Sequence, residues 1–370
     1  MPKQAQAAAL ADRRRKVRKA LKTHDVDALL VVASHDIRYL TGFVGDDSWA
    51  LLPTRGGKPI ILSDARFTEQ IAREAPDSAA VIRQGKMVDA LKALLGKRKA
   101  IERVAYQADH LTVADSRTLS KAMRGVVGLK ATEGITDHAR LHKSPDEIKL
   151  IRKALGIQQK AFLETLAFIE PGQTEAEVAA FLEYRMRTLG ADGVSFPSIV
   201  AADANAALPH AIPGRAKIKR GGIVLIDWGA RFGGYCSDLT RVIGVGGMKP
   251  RIREVFQIVL DAQMAAIEAI GPGVRLADVD AVARDHITAA GYGPQFGHSL
   301  GHGLGLLVHE EPRLAKVAKG VLEPGMVVTV EPGIYLPGVG GVRIEDDVLV
   351  TARGHEVLSG LPKSLDSAII

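Results

Sequence analysis

The sequence predicts an α/β domain followed by an α+β domain, and three observations carry that reading. Up to about residue 130, short apolar runs alternate with segments of helical spacing, the pattern of strands and helices in turn. Near residues 135–144 the pattern changes, and two long helices with strong start signals follow. After them come strand pairs joined by tight glycine turns, as in an antiparallel sheet covered by helices. A length of 370 residues is also more than one ordinary core requires. The expected domains are residues 1–135 and 136–370.

Each element has its own signal. Leu10, Val17 and Leu21 recur at helical spacing and predict a first helix. "DALLVVAS" (27–34), "DSWALLPT" (47–54) and "KPIILSD" (58–64) read as strands. "ARFTEQIAREA" (65–75) and "MVDALKALLGK" (87–97) carry helical periodicity. In "KSPDEIKLIRKAL", Ser144 is the N-cap, Pro145 the first helical residue and Glu147 the answering acid of a capping box, starting a helix to about Ile169. "TEAEVAAFLEYRMRTLG" repeats the device with Thr174 and Glu177, and Gly190 stops it. Helices at about 250–270 and 276–290, a glycine-rich segment and the pair "GMVVTVEPGIY" and "GGVRIEDDVLVT" complete the chain.

Composition excludes several classes. The content, 46% hydrophobic and 25% charged, is that of a soluble globular protein. The longest apolar runs, such as "ALLVVA" at 28–33, fall short of the roughly 20 residues a membrane span needs. The basic N-terminus has no apolar stretch behind it, which argues against a secretory signal. A single cysteine, Cys236, excludes an internal disulfide framework and fits a reducing compartment. The expected location is the cytoplasm, with no membrane partner. Residues 1–25 hold eight Lys or Arg against Asp12 and Asp25, so nearly all of the net charge of +7 sits there. The spacing predicts a solvated basic face on the first helix, and with no recognition motif beside it no nucleic-acid partner is expected.

The stretch "LIDWGARFGGYCSDLTR" (225–241) places two aspartates in what otherwise reads as a buried hairpin. Aspartate is depleted in strands. If the turn centres on "RFGG", Asp227 stands directly opposite Asp238, with Cβ atoms about 4.5–5.5 Å apart. A turn centred on Gly338 sets Glu331 opposite Glu345 in the same way. Facing carboxylates repel unless a proton or cation lies between them, and two such pairs point to a site. Asp346 and Asp347 are expected on the solvent face. Thr240 shares the face of Asp238 and could orient it. Cys236 falls there too and reads as a small buried filler rather than a nucleophile. Nitrogen donors lie in "GHSLGHGLGLLVHEEP", where His298, His302 and His309 sit among glycines that disfavour a helix; His210 in "ALPHAIP" is a fourth candidate. Carboxylates with imidazole suit Mn²⁺, Co²⁺, Fe²⁺ or Zn²⁺, and four carboxylates call for two ions.

The order Asp227, Asp238, His302, Glu331, Glu345 resembles the five-ligand set of the pita-bread metallopeptidases, which include methionine aminopeptidase, aminopeptidase P and Xaa-Pro dipeptidase (prolidase). "FPSIVA", "ALPHA", "YCSDLTR", "GHSLGHGLGLLVHEEPR", "VEPGIY" and "GVRIEDDVLVT" resemble the proline-specific branch. "SHDIRYLTGFVG" and "LSDARFTEQ" resemble its creatinase-type N-terminal domain, so the likeness spans about residues 20–365. One departure is "AADANAALPH", where Ala201 and Ala202 stand in place of a Ser-Gly pair common in relatives. The resemblance implies an α/β N-terminal domain and an α+β pita-bread catalytic domain. It implies two divalent ions, Mn²⁺ or Co²⁺ first and Zn²⁺ or Fe²⁺ as alternatives. Asp227 would hold one ion, His302 and Glu331 the other, and Asp238 and Glu345 would bridge them, with a shared hydroxide as nucleophile. Glu331, His210 and His309 would be catalytic, Glu331 moving the proton and the histidines polarising the carbonyl. His210, His298, Arg313 and Arg343 would bind substrate, Arg313 matching a position used for the free carboxylate in some prolidases. The implied activity is hydrolysis of the Xaa-Pro bond of proline-containing dipeptides or short peptides by a homodimer, prolidase before aminopeptidase P. Creatinase and a non-catalytic pita-bread binding module are the rivals, and both lack the ligand set that this sequence retains.

Overall fold

In the computed structural model, which describes residues 3–370, contacts divide the chain into two compact units, one ending at Arg140 and the other Leu141–Ile370. The first unit is an α/β domain. Its strands are β1 (Ala28–Val31), β2 (Trp49–Pro53), β3 (Ile60–Ser63), β4 (Ala79–Ile82), β5 (Arg103–Gln107) and β6 (Gly128–Thr132). They form one mixed sheet in the order β4-β3-β2-β1-β5-β6. β1 is apolar on both faces and buried throughout, as a central covered strand should be. Helices α1 (Lys3–Leu21), α2 (Ser34–Thr41), α3 (Thr68–Glu74), α4 (Met87–Gly96), α5 (Val113–Met123) and α6 (Ile135–Arg140) complete the unit. Leu91 and Leu95 of α4 and Leu119 and Met123 of α5 cover one face of the sheet.

Leu10, Val17 and Leu21 of α1 are buried, in keeping with their spacing. The basic residues beside them are not all solvated, contrary to expectation. Arg14 is buried, and Arg18 donates to the carbonyls of Pro53 (2.9 Å) and Gly57 (2.7 Å). Long side chains bury their stems against apolar surface and spend their charge on nearby carbonyls. Part of the basic cluster therefore holds α1 in place.

The second unit is α+β. α7 (Pro145–Phe168) and α8 (Glu175–Thr188) start at Ser144 and Thr174, and both capping boxes form. The strands β7 (Gly193–Val194), β8 (Ile199–Ala202), β9 (Ile223–Trp228), β10 (Ala230–Phe232), β11 (Tyr235–Cys236) and β12 (Leu239–Gly244) follow. After α9 (Pro250–Glu268) and α10 (Leu276–Ala289) come β13 (Gly301–Gly303), β14 (Glu310–Leu314), β15 (Val327–Val330), β16 (Gly333–Leu336), β17 (Gly340–Arg343), β18 (Asp346–Val350) and β19 (His355–Val357). The strand pairs between them are antiparallel: β12-β9-β8, β11-β10-β7, β14-β13-β15-β18-β19 and β16-β17. Phe256 and Val259 of α9, with Val279 and Ala283 of α10, join Leu225, Val242, Val328 and Val348 in one core.

Two registers decide where the carboxylates go. In the first hairpin Gly233 and Gly234 both have positive φ (58° and 84°), so they form the two-residue turn between the paired Phe232 and Tyr235. The pairing is shifted by two from a turn centred on "RFGG": Asp227 lies opposite Thr240, not Asp238. A shift of two is one full side-chain period, so the Asp227 face keeps Asp238. The last strand pair has the expected register, with Val330 opposite Asp346 and Gly333 opposite Arg343. The ladder is interrupted between these pairs, at Glu331 and Pro332 on one strand and Ile344 and Glu345 on the other. Asp346 and Asp347 are buried rather than solvent-facing. Asp346 is neutralised by Arg241 (2.8 Å) and Lys363 (2.7 Å), while Asp347 accepts the backbone N–H of Asp238 (3.2 Å).

Candidate active site

The break in that last ladder is what assembles the site. Released from its strand partner, the Glu345 N–H donates to the carbonyl of Thr240 on β12 (3.2 Å), and the Glu331 N–H donates to that of Leu300, just before β13 (2.8 Å). The two glutamates thus stitch the aspartate strands to the histidine strand. On β9, Asp227 is anchored by its neighbour Trp228, which is buried, stacks on Phe162 (4.4 Å between centroids) and donates its indole N–H to the Gln158 carbonyl (3.1 Å). β13 is pressed close to its neighbours: a Cβ on Gly301 would stand 2.0 Å from the Thr329 carbonyl oxygen, and one on Gly303 2.1 Å from that of Glu311. Only glycine on either side of His302 permits this approach.

All ten residues singled out in the sequence, namely His210, Asp227, Asp238, His298, His302, His309, Arg313, Glu331, Arg343 and Glu345, line one cleft of about 550 Å³. At its floor, donor atoms of Asp238, His302 and Glu345 lie within 4.8 Å of one another. Nε2 of His302 is 3.3 Å from Glu331 Oε1 and 3.8 Å from Asp238 Oδ2. Nδ1 of His302 faces its own strand's Gly303 carbonyl at 3.0 Å, which leaves Nε2 as the lone-pair nitrogen towards the carboxylates. Burial, then the neighbouring His309, pulls the His302 pKa down to about 3, so the ring is neutral.

Apart from Arg343, which pairs with Asp227, no Lys or Arg pairs with the carboxylates of the cleft among the described residues. Burial first, then mutual repulsion, holds Asp238 and Glu345 well above the ordinary carboxylate range, and burial raises Glu331 despite the pull of Arg343. Asp227 Oδ1 and Asp238 Oδ1 are buried with no hydrogen-bond partner among the described residues. Clustered oxygens of raised pKa, one neutral imidazole and orphaned acceptors are the donor set of a divalent cation. A second group, His35, Asp36 and His110 in the first unit, also brings ligand atoms together. There the Asp36 carboxylate is already bonded by Arg140, Gln107 (2.5 Å) and Thr136 (2.7 Å), and does not fit a cation.

Other side chains differ in detail from expectation. The Thr240 hydroxyl donates to Glu345 Oε2 (2.7 Å) rather than orienting Asp238, because Glu345 is the carboxylate stitched to β12. Arg343 is buried and fully engaged with Asp227 Oδ2 (2.5 Å), Tyr335 Oη (2.7 Å) and Thr240 Oγ1 (3.1 Å). His298 has Nδ1 on the Ser299 carbonyl (2.8 Å) and Nε2 on Tyr335 Oη (3.0 Å), and burial lowers its pKa to about 4. These two side chains form the wall of the cleft. Tyr335 was not singled out in the sequence, although alternation from Glu331 through Gly333 puts it on the cleft side. His210, His309 and Arg313 are exposed at the rim. Arg313 lies opposite His302 in the β13–β14 pairing, and the Glu310 carboxylate turns away from it to Lys143 (3.2 Å).

Cys236 is buried outside the cleft lining, with its Sγ 3.9 Å from the Leu306 carbonyl, and burial pushes its pKa up to about 11. A neutral, buried thiol is a poor nucleophile. A thiol reagent at neutral pH should leave native Cys236 unlabelled and activity intact; rapid labelling of the folded protein with parallel inactivation would contradict this.

Comparison with known proteins agrees with this geometry. The profile of metallopeptidase family M24 matches residues 149–352, and that of the creatinase/prolidase N-terminal domain matches residues 13–142. An uncharacterized peptidase of Bacillus subtilis (strain 168), YqhT, is 39% identical over 340 residues, covering 92% of this chain and 95% of that protein. The solved Xaa-Pro dipeptidase from Bacillus anthracis superposes with a TM-score of 0.91 at 38% identity, covering 98% of this chain and 100% of the other. The X-Pro aminopeptidase from Thermotoga maritima MSB8 does so with a TM-score of 0.87 at 36% identity, covering 95% and 100%. The likeness to these peptidases runs along almost the whole chain, and the chain belongs to metallopeptidase family M24, with a creatinase/prolidase-type N-terminal domain.

Proposed function

We propose that this peptidase hydrolyses the Xaa-Pro bond of dipeptides, acting as a prolidase with two divalent ions, Mn²⁺ or Co²⁺ in preference to Zn²⁺ or Fe²⁺. The observation that carries the reading is that Asp227, Asp238, His302, Glu331 and Glu345 line one cleft, donor atoms of Asp238, His302 and Glu345 lying within 4.8 Å of one another, with His210, His309 and Arg313 at its rim. Those five residues would hold the ions. Bound ions supply Lewis-acid polarisation and an activated water at neutral pH.

The protein's own groups do the rest. Glu331, beside His302, takes the proton of the attacking water and returns it to the leaving proline nitrogen. His210 and His309, at the rim, donate to the carbonyl oxygen as it gains charge. Arg343 and Thr240 hold Asp227 and Glu345 in place. Among the described residues no helix is long and apolar enough to cross a membrane, and the reading is of a cytoplasmic homodimer.

Arg313 separates a dipeptidase from an aminopeptidase P. A dipeptidase must grip a free carboxylate one residue past the scissile bond, and a guanidinium does so bidentately. Arg313 is exposed into the cleft and opposite His302, while Glu310 pairs elsewhere. The likeness to the T. maritima enzyme keeps the aminopeptidase reading in view. The experiment is a panel of Xaa-Pro dipeptides and Xaa-Pro-peptides, assayed after chelator stripping and return of Mn²⁺, Co²⁺ or Zn²⁺. Activity is expected to vanish on stripping and return with metal. Arg313→Ala is expected to raise KM for Xaa-Pro by about tenfold or more, roughly 1.4 kcal/mol, and to leave longer peptides unchanged. Equal losses on both substrates would favour the aminopeptidase, and chelator-resistant activity would refute the metal centre.

A further inference from the structure

We infer that Glu310 is a positioning residue for His309, locked by a buried ion pair with Lys143. Glu310 follows His309 directly and opens β14. Its side chain is only 3% exposed, although His309 itself is exposed. Oε1 accepts the Leu307 N–H at 3.1 Å, and Oε2 lies 3.2 Å from Nζ of Lys143, whose side chain is 1% exposed. Gly305 makes room for the carboxylate, since a Cβ there would stand 2.6 Å from Oε2. The Glu310 side chain therefore sits inside the 304–309 loop and bonds across it. A second hold comes from the Gly305 carbonyl, which accepts the Cys236 N–H at 2.8 Å and ties the loop to the strand leading to Asp238.

The His309 ring has no hydrogen bond of its own among the described residues; its ring contact is edge-on to His302, with 4.4 Å between centroids. Its aim is set by the backbone of the loop that Glu310 braces. Lys143 precedes α7, donates its N–H to the Gly325 carbonyl at 2.8 Å and is absent from the cleft lining, so it acts on substrate only through Glu310. Stability alone does not account for the pair. Taking both charges out of water costs about what their attraction returns, and apolar replacements of such pairs are often neutral or stabilising. What the pair does supply is a single geometry for the residue next to it.

The inference rests on the proposed role of His309, and the test keeps the two apart. kcat, KM, metal content and Tm are measured for Glu310→Gln, His309→Ala, the combination of the two, and Lys143→Met with Glu310→Gln. Glu310→Gln is expected to lower kcat about tenfold or more with KM within about twofold and metal content intact. In the His309→Ala background the same change should alter kcat by less than about twofold, because residues acting as a unit are non-additive. The variant lacking both charges should melt no lower than the parent and still show the reduced kcat. The inference is overturned by wild-type kcat in Glu310→Gln, by a full loss repeated on top of His309→Ala, or by metal lost together with kcat. Wild-type kcat in His309→Ala would overturn the reading of His309 itself, and this inference with it.

Discussion

Asp238→Ala is expected to abolish measurable hydrolysis and to sharply reduce retained metal. Its Oδ2 lies 3.8 Å from His302 Nε2, and its donor atom lies within 4.8 Å of one on Glu345. Losing a Lewis-acid centre removes several kcal/mol of transition-state stabilisation, which is about 10³-fold or more in rate. A stability measurement makes the prediction two-sided. Burial and the charges of Glu345, Asp227 and Asp347 raise the Asp238 pKa in the folded state. A raised carboxyl favours the folded state only while protonated, so its support is complete below about pH 4, the unfolded value, and is lost as pH rises through the folded value. In the stripped protein at neutral pH the buried Asp238 carboxyl is therefore a net cost to the fold. The stripped variant should melt no lower than the stripped parent, and added Mn²⁺ should raise its Tm less. Retained activity, or a stripped variant that melts well below the parent, would contradict the account of the cluster.

His309→Ala is expected to lower kcat by about 10²–10³, the range for losing one donor to a developing oxyanion, or about 2.7–4 kcal/mol. The ring lines the cleft at its exposed rim, edge-on to His302, and it lies outside the group whose donor atoms converge on one point. Metal content should be unchanged, measured by elemental analysis after gel filtration. Loss of metal in step with activity would make His309 a ligand.

What the sequence made legible was local or periodic. The capping boxes at Ser144 and Thr174 formed because every atom they need lies within four residues. The Glu331–Glu345 register could be counted outward from one glycine turn. The first hairpin was misplaced by two because "RFGG" offers two pivots, and only backbone dihedrals show that Gly233 and Gly234 form the turn. The aspartates still share a face, since an error of two preserves side-chain alternation. Burial of Asp346 was illegible for a different reason. Its neutralising partners, Arg241 and Lys363, come from a neighbouring strand and from the C-terminal segment, and pairings of that kind leave no local trace. The Thr240–Glu345 bond is hidden in the same way, because it exists only where two separate hairpins meet.

The tight packing around His302 has a practical meaning for anyone reshaping this enzyme by directed evolution. Positions 301 and 303 are closed to diversification, because any side chain there collides with a neighbouring backbone oxygen at about 2 Å. The segment around His210, which also lines the cleft, is built differently. Leu208 and Ile212 stand 58% and 89% exposed, so the segment around His210 can exchange apolar residues at little cost to the core. The cleft therefore combines a frozen strand around His302 with a segment around His210 whose exposed apolar residues, His210 itself excepted, a library can rewrite. Substrate scope can be searched at those apolar positions without touching His210 or the glycines around His302.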